Sequence, residues 1–139
     1  MKAYGWGDLQ VGLRHEFEVT LTAEMMSAFA ALSGDVNPLH IDAAFAAGRG
    51  YPGVVAFGLL TSSLYSQLVG VHLPGRDALL HGIDVDFVTP AFVGDVLRVS
   101  GEVTFLVDAY HRVEMRGRIT NQNGKTVSKA KIRVGLHVA

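Results

Sequence analysis

Cysteine is absent from this sequence. Disulfide bonds, thiolate metal sites and a cysteine nucleophile are therefore excluded, and a reducing compartment is allowed. Long apolar runs are absent too, because the longest, residues 54–60, is far shorter than the roughly 20 residues that cross a bilayer. The first residues also lack the apolar segment of a signal peptide. We therefore expect a cytoplasmic protein without a membrane segment.

A strong charge of one sign is lacking as well. The 12 Lys and Arg against 13 Asp and Glu leave a formal net charge of -1 with no basic cluster, which argues against nucleic-acid binding. Hydrophobic residues make up 49% of the chain and charged residues 18%, as in globular proteins. No repeat or linker interrupts the sequence, so residues 1–139 are expected to form a single domain.

The first third of the chain combines a strand, a helix and an irregular segment. Apolar and polar residues alternate over residues 16–21, which predicts a half-buried strand. Thr22 is a candidate N-cap for a helix that ends near Gly34. Prolines and glycines between residues 35 and 53 then indicate a loop with short helical turns.

The remainder predicts a second helix followed by an antiparallel sheet. Residues 54–69 are apolar on nearly every side of a helix, so we expect that helix to be buried inside the fold. Four strands follow, separated by turn residues: Ala78 to Phe87, Asp95 to Val107, Arg112 to Asn121 and Thr126 to His137. This order predicts the α+β class, with an antiparallel sheet wrapped around a central buried helix.

The most informative segment runs from Asp35 to His40. Pro38 disfavours a helical conformation at Asn37 and suits the first position of a helix, which makes Asn37 a candidate N-cap. Its side chain would then fix the turn that carries His40. An acid and a histidine five residues apart across a rigid turn can converge on one water molecule. The residues alone leave open a simpler interpretation, a capped turn with a surface acid.

Gly58 and two serines are further candidates. A glycine within a helical pattern is costly, so Gly58 marks either an exposed helix N-terminus that could hold a developing oxyanion or close packing against a strand. Helical spacing places four residues on one face, here named the serine stripe: Leu59, Ser62, Ser66 and Val69. Its hydroxyls could act beside the site or bond back to helix carbonyls.

A metal site is not expected. His81, Asp84 and Asp86 have a superficially ligand-like spacing, but strand alternation would place the histidine on the opposite face from both carboxylates. The alternating basic residues of the last strand, Lys129, Lys131 and Arg133, are expected to form a solvated outer face.

Several segments together resemble a known family. Residues 34–42, with the sequence GDVNPLHID, are similar to the hydratase motif of the MaoC-like, (R)-specific enoyl-CoA hydratases. Gly58 matches the glycine at the start of that family's central helix, and Ser66 matches a serine that the family places beside the catalytic acid. Residues 92–95 resemble the family's turn into its long strands, so the resemblance spans nearly the whole chain.

The resemblance implies a hot-dog fold, usually as a homodimer whose sheets join edge to edge. It implies that Asp35 and His40 activate a water molecule and that the N–H of Gly58 binds the thioester oxygen. It further implies an enzyme of fatty acid metabolism. The implied reaction is hydration of a trans-2-enoyl thioester, or dehydration of an (R)-3-hydroxyacyl thioester. The acyl group would be carried by coenzyme A or acyl carrier protein, and no metal or redox cofactor is expected.

One residue departs from the family pattern. Phe57 stands where the family commonly has histidine immediately before the glycine. Two other functions stay open: a hot-dog thioesterase, which would not need the Asp35–His40 spacing, and a non-catalytic thioester-binding or partner subunit, which only Phe57 favours. Within the serine stripe, Val69 is expected to help set the acyl chain length.

Overall fold

The computed structural model describes residues 1–138. Its strands are β1 (Arg14–Thr20), β2 (Ala78–Phe87), β3 (Val96–Val107), β4 (Arg112–Thr120) and β5 (Thr126–Leu136). Its helices are α1 (Ala23–Ser33), α2 (Pro38–Ile41), α3 (Ala43–Gly48) and α4 (Gly58–Gln67), with a π-helical turn (Leu68–His72) continuing α4. The predicted α+β class is confirmed. No helix within residues 1–138 is long and apolar enough to cross a membrane.

The five strands form one antiparallel sheet in the order β1-β3-β4-β5-β2. The sequence predicted β2 at its observed limits and β3, β4 and β5 to within one residue at each end. Along β5, apolar residues point to the core while Lys129, Lys131 and Arg133 point outward, as the alternation predicted. Strands β1 and β2 are the two edges of the sheet.

Helix α4 packs against the inner face of the sheet at two glycines. Gly101 and Gly117 are paired across β3 and β4. A Cβ atom built at Gly117 would lie 2.6 Å from Cε1 of Tyr65, and one at Gly101 would lie 2.7 Å from Cδ2 of Leu68. The absence of side chains at these two positions therefore lets the large residues of α4 and its π-helical turn reach the sheet.

The start that the apolar pattern predicted for the second helix, residue 54, was wrong, whereas Gly58, the start implied by the family resemblance, is the first residue of α4. Residues 54–57 are extended, because Val55 forms a β-bridge with Phe92 and the N–H of Ala56 donates to the carbonyl of Ala91 at 2.8 Å. A short apolar run is compatible with either strand or helix, so its composition did not locate the boundary. The helix is also not buried on all sides, since Leu59 is 70% exposed.

The predicted orientation of His81 was wrong too. The register of β2 against β5 shifts at this residue, which places the ring of His81 against Gly135 on the outer face, the face of Asp84 and Asp86. A β-bulge breaks the alternation on which the prediction relied. Asp84 is paired with Arg133 at 3.2 Å. Within residues 1–138, no three His, Asp or Glu side chains form a group that could hold a metal ion.

Candidate functional site

The loop after α1 is held by hydrogen bonds from side chains to the main chain. Oδ1 of Asp35 accepts the N–H of Asn37 at 3.1 Å, and Oδ1 of Asn37 accepts the N–H of Leu39 at 3.0 Å. Pro38 occupies the first position of α2, so Asn37 is the N-cap that the sequence predicted. This short capped helix carries His40.

The imidazole of His40 is oriented by the main chain of the extended segment before α4. Its Nδ1 lies 2.6 Å from the carbonyl oxygen of Val55. A carbonyl can only accept, so Nδ1 carries the hydrogen of the neutral ring and Nε2 retains its lone pair. Val55 is itself fixed, since its N–H donates to the carbonyl of Leu39 at 3.0 Å and it bridges to Phe92.

Gly58 is the first residue of α4. Its N–H therefore has no carbonyl one turn earlier in the helix to bond, and it lies at the positive end of the helix dipole. The hydroxyl of Thr61 donates to the carbonyl of Gly58 at 2.8 Å, which fixes this first turn. A Cβ atom at position 58 would lie 3.0 Å from Cε1 of Phe87. The close packing against a strand that the sequence suggested is thus present at the helix N-terminus.

One cavity of about 310 Å³ is lined by both His40 and Gly58. Its other lining residues come from the segment before α4, from α4 itself and from the end of β2 onward: Tyr51, Val55, Ala56, Thr61, Phe87, Val88, Thr89, Pro90, Ala91 and Val127. Most of this lining is apolar. The arrangement combines an imidazole with a free Nε2 lone pair and a helix N-terminus, within an apolar setting that suits an acyl group.

Asp35 and Asn37 lie on the exposed loop and do not line this cavity. The hydrogen bonds of Asp35 within residues 1–138 are local: its N–H donates to Ser33 and its carboxylate accepts from Asn37. No hydrogen bond within this part of the chain joins Asp35 to His40. The convergence of these two side chains on one water molecule therefore stays a prediction.

The members of the serine stripe differ in their surroundings. Ser66 is exposed, whereas Val69 is buried in the core and does not line the cavity around His40. The Oγ of Ser62 is buried and has no hydrogen-bond partner within residues 1–138, so the back-bonding alternative is not observed for it. The roles of Ser62 and Ser66 beside the site, and of Val69 in setting acyl length, stay predictions.

Sequence reasoning missed two parts of this site. The carbonyl of Val55 is a main-chain group, and no residue type signals its role as the partner of His40. Phe87 stands at the end of β2, 29 positions after the glycine on which it packs. Only the Thr-Pro pair at residues 89–90 indicated that the strand ends nearby.

The sequence matches the MaoC like domain family over residues 8–128. The chain belongs to this family. It is 39% identical over 116 residues to an (R)-specific enoyl-CoA hydratase from Aeromonas caviae, covering 84% of this chain and 87% of that protein. A 3-hydroxybutyryl-CoA dehydratase from Methylorubrum extorquens is 32% identical over 108 residues, which are 78% of this chain and 69% of that protein.

A solved structure gives the same result for the fold. An (R)-hydratase from A. caviae involved in PHA biosynthesis superposes with a TM-score of 0.89 at 36% sequence identity, covering 93% of this chain and 98% of that one. The predicted hot-dog fold of the MaoC-like family is confirmed. The protein is accordingly an enzyme of the hydro-lyase class, with hydratase or dehydratase activity, as the motif around Asp35 predicted.

Proposed function

We propose that this protein hydrates trans-2-enoyl thioesters to (R)-3-hydroxyacyl thioesters and catalyses the reverse dehydration. The observation that carries the proposal is the cavity that holds His40 and the N-terminus of α4 at Gly58 together. His40 supplies a proton acceptor, and the N–H of Gly58 supplies a hydrogen-bond donor for a carbonyl oxygen. The reactions named for the two MaoC-like relatives are the forward and reverse directions of this chemistry.

In the proposed hydration, Asp35 and His40 act on one water molecule. Nε2 of His40 has the lone pair needed to take a proton, and the exposed carboxylate of Asp35 lies five residues earlier on the same capped turn. The oxygen of the water adds to Cβ of the enoyl group and a proton is delivered to Cα, so the elements of water are conserved. Acid–base pairs of this kind contribute about 10²–10⁴-fold to the rate.

Gly58 would stabilise the negative charge that develops on the thioester oxygen. Addition to Cβ gives an enolate whose charge lies mainly on that oxygen, and a helix N-terminus is electrostatically suited to hold it. Loss of a single oxyanion donor typically costs about 3–4 kcal/mol. Water and side-chain proton transfer suffice for this scheme, so it uses no metal or redox cofactor, and coenzyme A or acyl carrier protein serves only as the carrier.

The proposal is tested by following enoyl absorbance and free thiol together on a panel of trans-2-enoyl thioesters of different chain lengths and both carriers. Loss of absorbance without thiol release supports the hydratase. Release of thiol would indicate the alternative thioesterase, and no change with any substrate would favour the non-catalytic thioester-binding subunit. Chiral analysis of the product checks the (R) configuration.

We further propose that the protein is a homodimer that joins its sheets at β2. This edge strand exposes apolar side chains, with Leu79 66%, Leu80 41% and Phe87 54% exposed. An open apolar edge is a hazard that a second copy of the strand removes. Because Phe87 also lines the cavity around His40, the partner would lie next to the site.

Light scattering tests the dimer. The wild-type protein should show twice the monomer mass, and Leu79→Glu should shift it toward the monomer. The matched control is Leu32→Glu on α1, which changes an even more exposed leucine (84%) far from β2 in sequence and should leave the dimer intact. A wild-type protein that stays monomeric at micromolar concentration would contradict the proposal.

A further inference from the structure

Phe57 packs against the imidazole of His40, the ring that the proposed function uses as proton acceptor. The ring centroids of Phe57 and His40 are 4.3 Å apart, and the two planes are inclined by 31°. Phe57 is only 2% exposed, although it precedes a cavity-lining glycine. The side chain is therefore committed to the interior contact with His40 and is not available to bind a solvent-borne ligand.

The position of Phe57 is itself fixed from two sides. It is the N-cap residue of α4, and its carbonyl accepts the N–H groups of Leu60 and Thr61 at 3.1 and 3.2 Å. The ring of Phe29 on α1 also packs against it, 4.8 Å away centroid to centroid and inclined by 50°. An aromatic ring held by two helices is a rigid support for whatever it touches.

The hydrogen bond of His40 leaves one freedom that Phe57 can remove. The bond from Nδ1 to the carbonyl of Val55 fixes one point of the imidazole. A ring held at one nitrogen can still tilt about that contact, which would move Nε2 away from a bound water. The ring of Phe57 opposes this tilt, because it lies directly against the imidazole, with the centroids 4.3 Å apart and the planes inclined by 31°.

We propose that Phe57 is a positioning residue that holds the His40 imidazole with Nε2 directed into the cavity. This inference rests on the proposed function, since it assigns to the ring of Phe57 the orientation of the proton acceptor, His40. The family's usual histidine at this position offers a polar group, whereas this chain offers only an aromatic face. Within residues 1–138, the orientation of His40 therefore depends on the Val55 carbonyl and on packing against Phe57, and on no further side-chain hydrogen bond.

Phe57→Leu tests the inference, because leucine keeps an apolar side chain and removes the ring. We expect kcat to fall by about tenfold or more, since small misplacements of a reacting group are costly, while KM stays within about twofold. In a His40→Gln background the same change should have no further effect on kcat. Phe57→His, which retains a flat ring, should restore most of the rate.

Two controls separate positioning from a merely structural role. Phe29→Leu removes another aromatic contact of Phe57, one that does not involve His40, and it should lower stability with much less effect on kcat. The nitrogen-detected NMR spectrum of His40 should show one tautomer, protonated on Nδ1, in both proteins, because the Val55 carbonyl sets it. In Phe57→Leu the Nε2 signal should shift and broaden, because the imidazole can tilt about that hydrogen bond.

The outcomes distinguish this inference from the proposed function. Wild-type protein that hydrates no enoyl thioester would overturn the proposed function, while the NMR comparison would still report on the tautomer and ring order of His40. A folded Phe57→Leu protein with an unchanged His40 spectrum and an unchanged kcat would overturn the inference. An equal loss of kcat in the wild-type and His40→Gln backgrounds would also overturn it.

Discussion

The Nδ1 atom of His40 lies 2.6 Å from the carbonyl oxygen of Val55, so the tautomer of this histidine is set by the protein backbone. Val55 belongs to the extended segment that the fold fixes between Leu39 and Phe92. The proton acceptor of the proposed reaction is thus oriented by a main-chain segment that hydrogen bonds join to α2 and to residues 91–92 between β2 and β3. A side-chain substitution at Val55 would leave the carbonyl in place.

The first prediction concerns Asp35 and His40. Asp35→Asn retains the shape of the side chain but loses its charge, and His40→Gln cannot exchange a proton near neutral pH. Each should lower kcat by at least about 10²-fold while changing KM little, because the water loses its partner and the substrate does not. Steady-state kinetics with an enoyl thioester measures both constants.

The double variant and a matched control sharpen this test. Residues that act as one unit are not additive, so Asp35→Asn with His40→Gln should be scarcely slower than the slower single variant. Asp42→Asn removes another acid from the same loop, where it caps α3 through Ala44 and Phe45, and asparagine can cap equally well. This control should keep its activity. Folded single variants that retain most of the hydratase rate would show that Asp35 and His40 have no catalytic role and only form part of a capped turn.

The second prediction concerns the contact between Gly58 and Phe87. Gly58→Ala keeps the main-chain N–H but places a methyl group about 3.0 Å from the ring of Phe87. Gly58 lies in the helix without a positive φ, so the backbone tolerates alanine and the fold should survive. We expect a fall in kcat/KM of about tenfold or more, because the crowding occurs inside the cavity. Thermal unfolding and kinetics measure the two effects separately.

Phe87→Leu is the matching variant for this prediction. It shortens the side chain that the new methyl group would meet. If crowding causes the loss, Gly58→Ala combined with Phe87→Leu should be faster than Gly58→Ala alone. A Gly58→Ala protein with wild-type kinetics would show that the N-terminus of α4 is remote from the bound thioester.

The third prediction concerns the hydroxyl of Ser62, which has no hydrogen-bond partner within residues 1–138. A buried polar group without a partner typically costs about 1–3 kcal/mol, so Ser62→Ala should raise the free energy of unfolding by up to this amount. If the hydroxyl serves the substrate, kcat/KM should fall at the same time. Ser63→Ala is the matched control, since Ser63 is exposed and its hydroxyl bonds the carbonyl of Leu60 at 2.6 Å. It should change neither quantity appreciably.

Local signals predicted much of this fold. Thr22 caps α1 through the N–H of Met25, Asn37 caps α2, and the alternation along β5 assigned its two faces correctly. Each of these features depends on residues within a few positions of one another. The position of Gly58 at the start of the central helix was also accessible, because a glycine there is costly without a reason.

Features that depend on distant parts of the chain could not be predicted. Residues 54–57 are extended because Ala91 and Phe92 pair with them, and nothing in the apolar run itself selects that pairing. The same holds for the bulge that turns His81 to the outer face. The site shows the difference clearly: the cap at Asn37 was predicted, whereas the Val55 carbonyl that orients His40 was not.

The fourth prediction concerns a buried hydrogen bond between helix and sheet. The hydroxyls of Tyr65 on α4 and Ser128 on β5 are 2.8 Å apart, and both residues are fully buried. Tyr65→Phe or Ser128→Ala alone leaves the other hydroxyl unpaired, which should cost about 1–3 kcal/mol of unfolding free energy. The double variant removes both groups and should cost less than the sum of the two single changes. Urea unfolding measures all four proteins, and strictly additive losses would contradict the pairing.

The last prediction follows from the ionisation of the same tyrosine. Burial raises the pKa of Tyr65 to about 12, with the hydrogen bond to Ser128 acting in the opposite direction. In the unfolded chain the pKa is near the ordinary value of about 10. The folded state therefore retains this proton more strongly, and the corresponding stability is present below pH 10 and lost as the pH rises from about 10 toward 12. Two pKa units correspond to at most roughly 3 kcal/mol.

Tyr65→Phe should remove this part of the alkaline loss of stability, while the other titrating groups act equally in both proteins. Urea unfolding at several pH values between about 9 and 11 measures the difference. Parallel curves for the two proteins would mean that the Tyr65 hydroxyl titrates in the folded state as it does in the unfolded chain.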